Sequence, residues 1–406
     1  MNYENKKGKI GVWFIGAFGS VASSAIAGAK AVAGKLCATT GLVTEHNLLN
    51  NIEFIEFDDI EFGGMDIRKG SIFSTLSDLH ERANVIPHRV IESLKQDLLK
   101  VDENIRPGIT LNCGEAIDNI ADGDNLDNQN SLKELIEIIK NEINRFKEKN
   151  GLEYVIVINC ASTEQYMEFD EKNSTLEGIR KAIFENLKEL YPASVIYAWA
   201  AIDAGCPYIN FTPSIGASLK GLKELAIERK VPIAGNDGKT GETLIKSVLA
   251  PMFVCRNLEV LSWEGYNILG NSDGLILADP KNKETKIRSK SRSLNKILGY
   301  QPHSSVHIDM VPSLNDWKIA WDFIHFKGFM ETPMIMQVLW QGCDSILAAP
   351  LILDLIRLID LSVKSGEFGV QNQLSCFFKD PLDCAEYDLH SQFETLMVYI
   401  NSKRRC

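Results

Sequence analysis

The sequence predicts an α/β fold: a doubly wound sheet with a second, inserted α+β domain. Three observations carry this expectation. The apolar, strand-like Ile10–Ile15 runs into a glycine turn and a small-residue helix, the way a βαβ unit opens. Strand, loop and helix then alternate over the first 240 residues. Near Gly241 that rhythm stops, and strands and short helices follow without clear βαβ order.

In chain order, "NIEFIEFDDIEF" carries the second strand and ends in Phe62 to Ile67, "FGGMDI", whose paired glycines mark a turn or a close backbone approach. "DGDNLDNQNS" is loop-like, and "LKELIEIIKNEINRFKEKN" has helical period with a charged outer face; together they read as a surface excursion. "YVIVINCAST" is an uninterrupted β-rich run, as in a parallel strand buried on both faces. "ASVIYAWAAIDAG" is a helix stopped by Gly205, and "PYINFTPS" and "VPIAGNDG" are short strands ending in polar loops. Ligands are expected beyond the carboxyl ends of such strands. "APLILDLIRLIDL" is interrupted by Asp354 and Arg357 and is too short to span a bilayer, so it reads as a buried helix.

The formal net charge of −11 argues against a nucleic-acid binder, which needs a basic footprint, but leaves room for a local cationic pocket. Nine cysteines, with no C-x-x-C pair, read as reduced thiols in a cytoplasmic protein with no metal site. The N-terminus has too short an apolar run for a secretory signal, and no membrane association is expected.

Each short motif has a bland reading beside a functional one. Gly16-Ala17-Phe18-Gly19-Ser20 is a GxxG turn whose N–H groups suit a pyrophosphate, yet it falls short of the full GxGxxG fingerprint. In "GNDGKTGETLIKS", Asp237, Lys239 and Thr240 lie within reach of a ligand, or Thr240 and Asp237 simply cap a helix. "GNSDG" suits a plain turn, "NDWK" a helix cap, and "FFKDP" a snorkelling lysine before a proline turn. "ETKIRSKS" is the oddest stretch. On a helix its Lys286 and Lys290 share a face and repel, unless something anionic sits between them.

Taken in order, these stretches resemble the myo-inositol-1-phosphate synthase family, with "GLVTE", "FGGMDI", "NCASTE" and "PYINFTPS" agreeing in the first half. The resemblance implies a Rossmann-type NAD-binding domain formed by residues 1–240 plus 346–406. It implies a catalytic and tetramerisation domain at 241–345 and a homotetramer. NAD is the implied cofactor, with Gly16, Ala17, Phe18, Gly19, Ser20, Val21, Asp66, Ala161, Ser162, Thr163, Thr212, Asp237, Thr240, Asn271, Ser272, Asp273, Asp344 and Ser345 around it. The family's lysine segments fall on Lys286, Lys290, Lys318 and Lys379.

The implied reaction converts a small phosphorylated sugar, D-glucose 6-phosphate, into 1D-myo-inositol 3-phosphate by oxidation at C5, enolisation, aldol closure and reduction. Ammonium groups suit the anionic enolate, aldolate and phosphate. By analogy Lys286 exchanges the proton of the C5 hydroxyl. Lys318 and Lys379 face the aldehyde and enolate oxygens, and Lys290 helps hold phosphate or an oxyanion. Asp237 and Asp316 orient lysines or the nicotinamide. The chain departs from the family at Leu244, Trp317, Trp340, Gln341 and "FKGFMETPM". Extra bulk beside the lysines, at Trp317 and again at Trp340 and Gln341, points to a smaller or differently shaped substrate. A cyclase of another phosphorylated sugar and a non-catalytic NAD-binding relative are the alternative readings.

Overall fold

The structure is a computed structural model and describes residues 8–270, 274, 276, 282 and 294–404. Eleven strands run through the described residues: β1 (Ile10–Ile15), β2 (Ile60–Asp66), β3 (Ile105–Pro107), β4 (Val155–Asn159), β5 (Tyr208–Asn210), β6 (Pro232–Gly235), β7 (Glu259–Leu269), β8 (His303–Met310), β9 (Trp317–Lys327), β10 (Pro333–Cys343) and β11 (Gly369–Val370). They make two sheets. The first has the order β3-β2-β1-β4-β5-β6-β11 and is parallel throughout. Its first six strands follow the strand order of a Rossmann fold, with the switch point between β1 and β4. The second, β10-β9-β7-β8, pairs antiparallel except for β7 with β8.

Helices cover both faces of the first sheet. On one face lie Ser20–Ala33 and the long Asp344–Lys364, and Gly28 of the former leaves room for Leu353 of the latter. On the other face lies Leu132–Lys149, so the expected surface excursion is instead a core element. Leu132, Leu135, Ile136, Ile139, Ile143 and Phe146 are all buried, and Phe146 packs on Trp13 of β1 at 5.3 Å between ring centroids. At ~1.5–3 kcal/mol for each such side chain, that stripe outweighs what the charged outer face gains from water. The paired glycines of "FGGMDI" are not a turn. They lie inside β2, where a Cβ on Gly64 would collide with the carbonyl oxygen of Phe14, so the close-approach reading holds.

The helix Gly241–Cys255 leaves the first sheet and packs on one face of the second, where Phe253, Trp263, Ile324 and Phe326 form a smaller core. The side chains of β9 alternate strictly, with Lys318, Ala320, Asp322, Ile324 and Phe326 inward. After β10 the chain returns through Asp344–Lys364 to place β11 beside β6. Among the described residues no helix is long and apolar enough to cross a membrane.

Candidate active site

A cavity of about 650 Å³ opens at the carboxyl ends of β1 and β4, between the two sheets. Its first wall is the glycine turn. Gly16 has φ +82°, and a Cβ there would lie 2.9 Å from Cα of Ala161, so the turn requires glycine. Gly19 precedes the helix Ser20–Ala33 without a side-chain cap, which leaves that helix's first N–H groups facing the cavity. Asp66, buried at the end of β2, accepts from the N–H of Phe18 at 2.8 Å and of Arg68 at 2.9 Å. Gly16, Phe18, Gly19, Ser20, Val21, Asp66, Ala161, Ser162, Thr163 and Thr212 all line the space, while Ala17 is buried behind the turn. The hydroxyl of Thr163 is buried and has no protein partner among the described residues.

The second wall is a two-stranded ribbon. The loop after β6 runs antiparallel to 377–382. Lys239 N–H donates to Phe377 O at 2.8 Å and Lys379 N–H to Asp237 O at 2.6 Å, with a bridge between Gly238 and Phe378. The ribbon sets the Lys379 ammonium 2.8 Å from Asp237, both nearly fully buried. The third wall comes from the second sheet. Lys318, 5% exposed, pairs with Asp344 at 3.2 Å and sits one layer behind it. Thr240 precedes the helix Gly241–Cys255 but makes no cap bond. Its hydroxyl donates to Asp344 at 3.3 Å, which favours the functional reading over the capping one. Asp316 accepts from the Ser345 hydroxyl at 3.0 Å and the Cys343 thiol at 2.6 Å. Burial, with Asp344 nearby, pushes its carboxyl up from the usual range.

So Asp237, Thr240, Asp316, Asp344, Ser345, Lys318 and Lys379 converge from separate segments. Lys286, Lys290, Asn271, Ser272 and Asp273 lie outside the described residues. Trp317 corrects the sequence reading. It points away from the cavity, packs near Leu79 and Ala83, and donates its indole N–H to Ala83 O at 3.0 Å. The side chains of β9 alternate, so a residue adjacent to Lys318 in sequence faces the opposite way.

A family model described as myo-inositol-1-phosphate synthase, an NAD-binding family, matches residues 10–400. The chain belongs to the myo-inositol-1-phosphate synthase family. Inositol-3-phosphate synthase 1 of Bacteroides thetaiotaomicron is 32% identical over 426 residues, covering 98% of this chain and 96% of that protein. Inositol-3-phosphate synthase of Brassica napus is 32% identical over 361 residues, 82% of this chain and 67% of its own length. The crystal structure of inositol-3-phosphate synthase from Caenorhabditis elegans superimposes with a TM-score of 0.86 at 27% identity, over 98% of this chain and 86% of that one.

The cofactor of this family fits the residues present. An uncapped helix N-terminus suits the pyrophosphate. An acid at the end of β2 suits a ribose hydroxyl, and the Thr163 hydroxyl lacks a partner among the described residues. Sequence reasoning missed three cavity or cavity-edge groups. Glu164 accepts from the Ser194 hydroxyl at 2.5 Å and its N–H at 2.7 Å, and burial pushes its carboxyl up to about 7. Arg68 stands beside Asp66 at 3.4 Å. Asn282, buried, donates to the carbonyls of Thr163 and Cys113. Glu164 was within sight, being the last residue of "NCASTE". The other two have no sequence signal apart from the fold.

Proposed function

We propose that this chain is an inositol-3-phosphate synthase, an isomerase of inositol biosynthesis that closes D-glucose 6-phosphate to 1D-myo-inositol 3-phosphate. The observation that carries the reading is the pair of lysine–carboxylate contacts from different segments, Lys379 with Asp237 in the lining of the cavity and Lys318 with Asp344, where Asp344 lines the cavity and Lys318 stands behind it. NAD, when bound, supplies a hydride acceptor for C5 and returns the same hydride at the end. Everything else falls to the chain. Lys379, in the lining, stabilises the enolate or aldehyde oxygen as a fixed ammonium, and Lys318 adds its charge from behind Asp344. Asp237 and Asp344 hold those ammonium groups in place and Asp316 braces the same corner through Ser345. Lys286 and Lys290 take the C5 proton and the phosphate or oxyanion. Because Trp317 turns away, its bulk gives no reason to expect a differently shaped substrate, and glucose 6-phosphate is the substrate the reading keeps.

The division of labour follows the two sheets. Residues 1–240 and 346–406 hold the cofactor, and 241–345 carry the lysine of β9 and the oligomer contacts of a cytoplasmic homotetramer whose product feeds phospholipid synthesis. An open, partly apolar outer face on the second sheet supports that assembly, with Ile335 and Leu339 exposed on the face that carries Tyr266, stacked on His307, and Trp321, tilted against Tyr266. The test is an NMR product spectrum after incubation with glucose 6-phosphate and a catalytic amount of NAD. A single inositol monophosphate with NAD unconsumed is expected. No cyclised product, or one NADH released per sugar, would overturn the reading.

A further inference from the structure

Lys239 stands between the cavity residues Asp237 and Thr240, yet its own side chain leaves the cavity. It is buried, and its ammonium donates to the amide oxygen of Gln392 on the helix Leu389–Lys403. Among the described residues no carboxylate forms an ion pair with it. Burying an ammonium against a neutral amide costs several kcal/mol, and an apolar side chain of the same length would fill the space without that cost. Burial accordingly brings its pKa down to about 8. The acceptor is itself held: Gln392, also buried, donates through Nε2 to Glu386 O at 2.7 Å. A second strut runs beside it, with the Tyr387 hydroxyl donating to Asp380, the residue after Lys379, at 3.3 Å.

The ribbon that these struts reach is the one on which Lys379 meets Asp237. It is short, and its main-chain bonds join its two segments and tie the middle of the first to the loop after β5, through Asp237 N–H to Thr212 O at 3.1 Å and Gly238 N–H to Phe211 O at 3.2 Å. Among the described residues the main chain of Lys239 bonds only within the ribbon, so that end is held to the body through its side chain. We propose that Lys239 and Gln392 are positioning residues, through which the C-terminal helix fixes the ribbon that brings Lys379 against Asp237. The proposal rests on the functional reading above, in which Lys379 faces reacting oxygen atoms. A reacting group displaced by ~1 Å loses on the order of 10²-fold in rate. The glycine turn, by contrast, holds cofactor on a different wall.

The experiment uses the full chain as wild type, Lys239→Met, Gln392→Leu, the double variant and Lys379→Met. It measures kcat and KM with glucose 6-phosphate, NAD affinity by calorimetry, and melting temperature. Each single variant should lose about ten- to hundredfold in kcat, with KM and NAD affinity within roughly threefold. In the double variant neither buried partner is left alone, so the melting temperature should recover. Its kcat should stay low, because the tether is absent. Recovery of kcat together with melting temperature overturns the proposal, as does wild-type kcat in either single variant. A double variant that does not fold also overturns it, since the pair is then a requirement of folding. Activity retained in Lys379→Met overturns the functional reading, whereas activity lost there and kept in the Gln392 variant overturns the positioning alone.

Discussion

Two lysines of the site are described, and each faces a carboxylate rather than another cation. This changes what a substitution does. Removing a lysine from a solvated cluster relieves repulsion, whereas Lys379→Met breaks a buried ion pair with Asp237. It should cost about 3–5 kcal/mol of stability as well as ~10²–10³ in turnover, read as melting temperature and product formation. Lys290→Met, by contrast, should lose turnover with the melting temperature held. Lys239 carries the pH dependence. Its folded pKa of about 8 lies below the ordinary 10.5, so the folded state sheds its proton first. The stability this group contributes is complete above 10.5 and is lost as pH falls through 8. Wild type should therefore gain on Lys239→Met between pH 8 and 10.5, by up to roughly 3 kcal/mol. An unchanged difference in denaturation midpoint would argue against that burial. At this scale the sequence was legible in the order of its motifs, which brings Asp237, Lys379 and Asp344 to one cavity. It was silent on Gln392, a polar residue in a helix far along the chain, whose role exists only through the burial of Lys239.

Elements were read well where a pattern was local. The strand, turn and helix of Ile10–Ala33 and the buried Asp344–Lys364 need only a few adjacent residues to declare themselves. The helix Leu132–Lys149 was misplaced because a charged outer face says nothing about how much apolar surface lies opposite. Trp317 was misplaced because contiguity along a strand was taken for proximity in a site. Its true neighbour is the helix Ile72–Ala83, to which Asn315 also binds, donating to Arg82 O at 2.9 Å. The pair clamps the second sheet to the first domain. Trp317→Ser should lower stability by about 2 kcal/mol or more, while relative kcat/KM values across phosphorylated sugars stay as in wild type. A changed substrate preference would restore the bulky-neighbour reading.

For the whole molecule, the doubly wound character of the first sheet followed from the alternation of strands and helices, though its strand order is set only by the fold. The order of the second sheet did not, since antiparallel pairing leaves several arrangements open. Its outer face offers a direct check on assembly. Leu339 is 71% exposed, so Leu339→Lys strains nothing within one chain. It should break the tetramer proposed above into smaller species in sedimentation velocity, with the melting behaviour of the single chain kept. Unchanged sedimentation would move the interface elsewhere. The return of the chain after β10 also imposes an order in time. β6 waits for β11, and Asp237 waits for Lys379, until everything between them has been translated. At ~5–20 residues per second that interval is on the order of ten seconds. Throughout it the nascent polypeptide has a naked sheet edge and no assembled centre. A chain interrupted anywhere before Phe377 should therefore lack the contact between Lys379 and Asp237 and show no turnover.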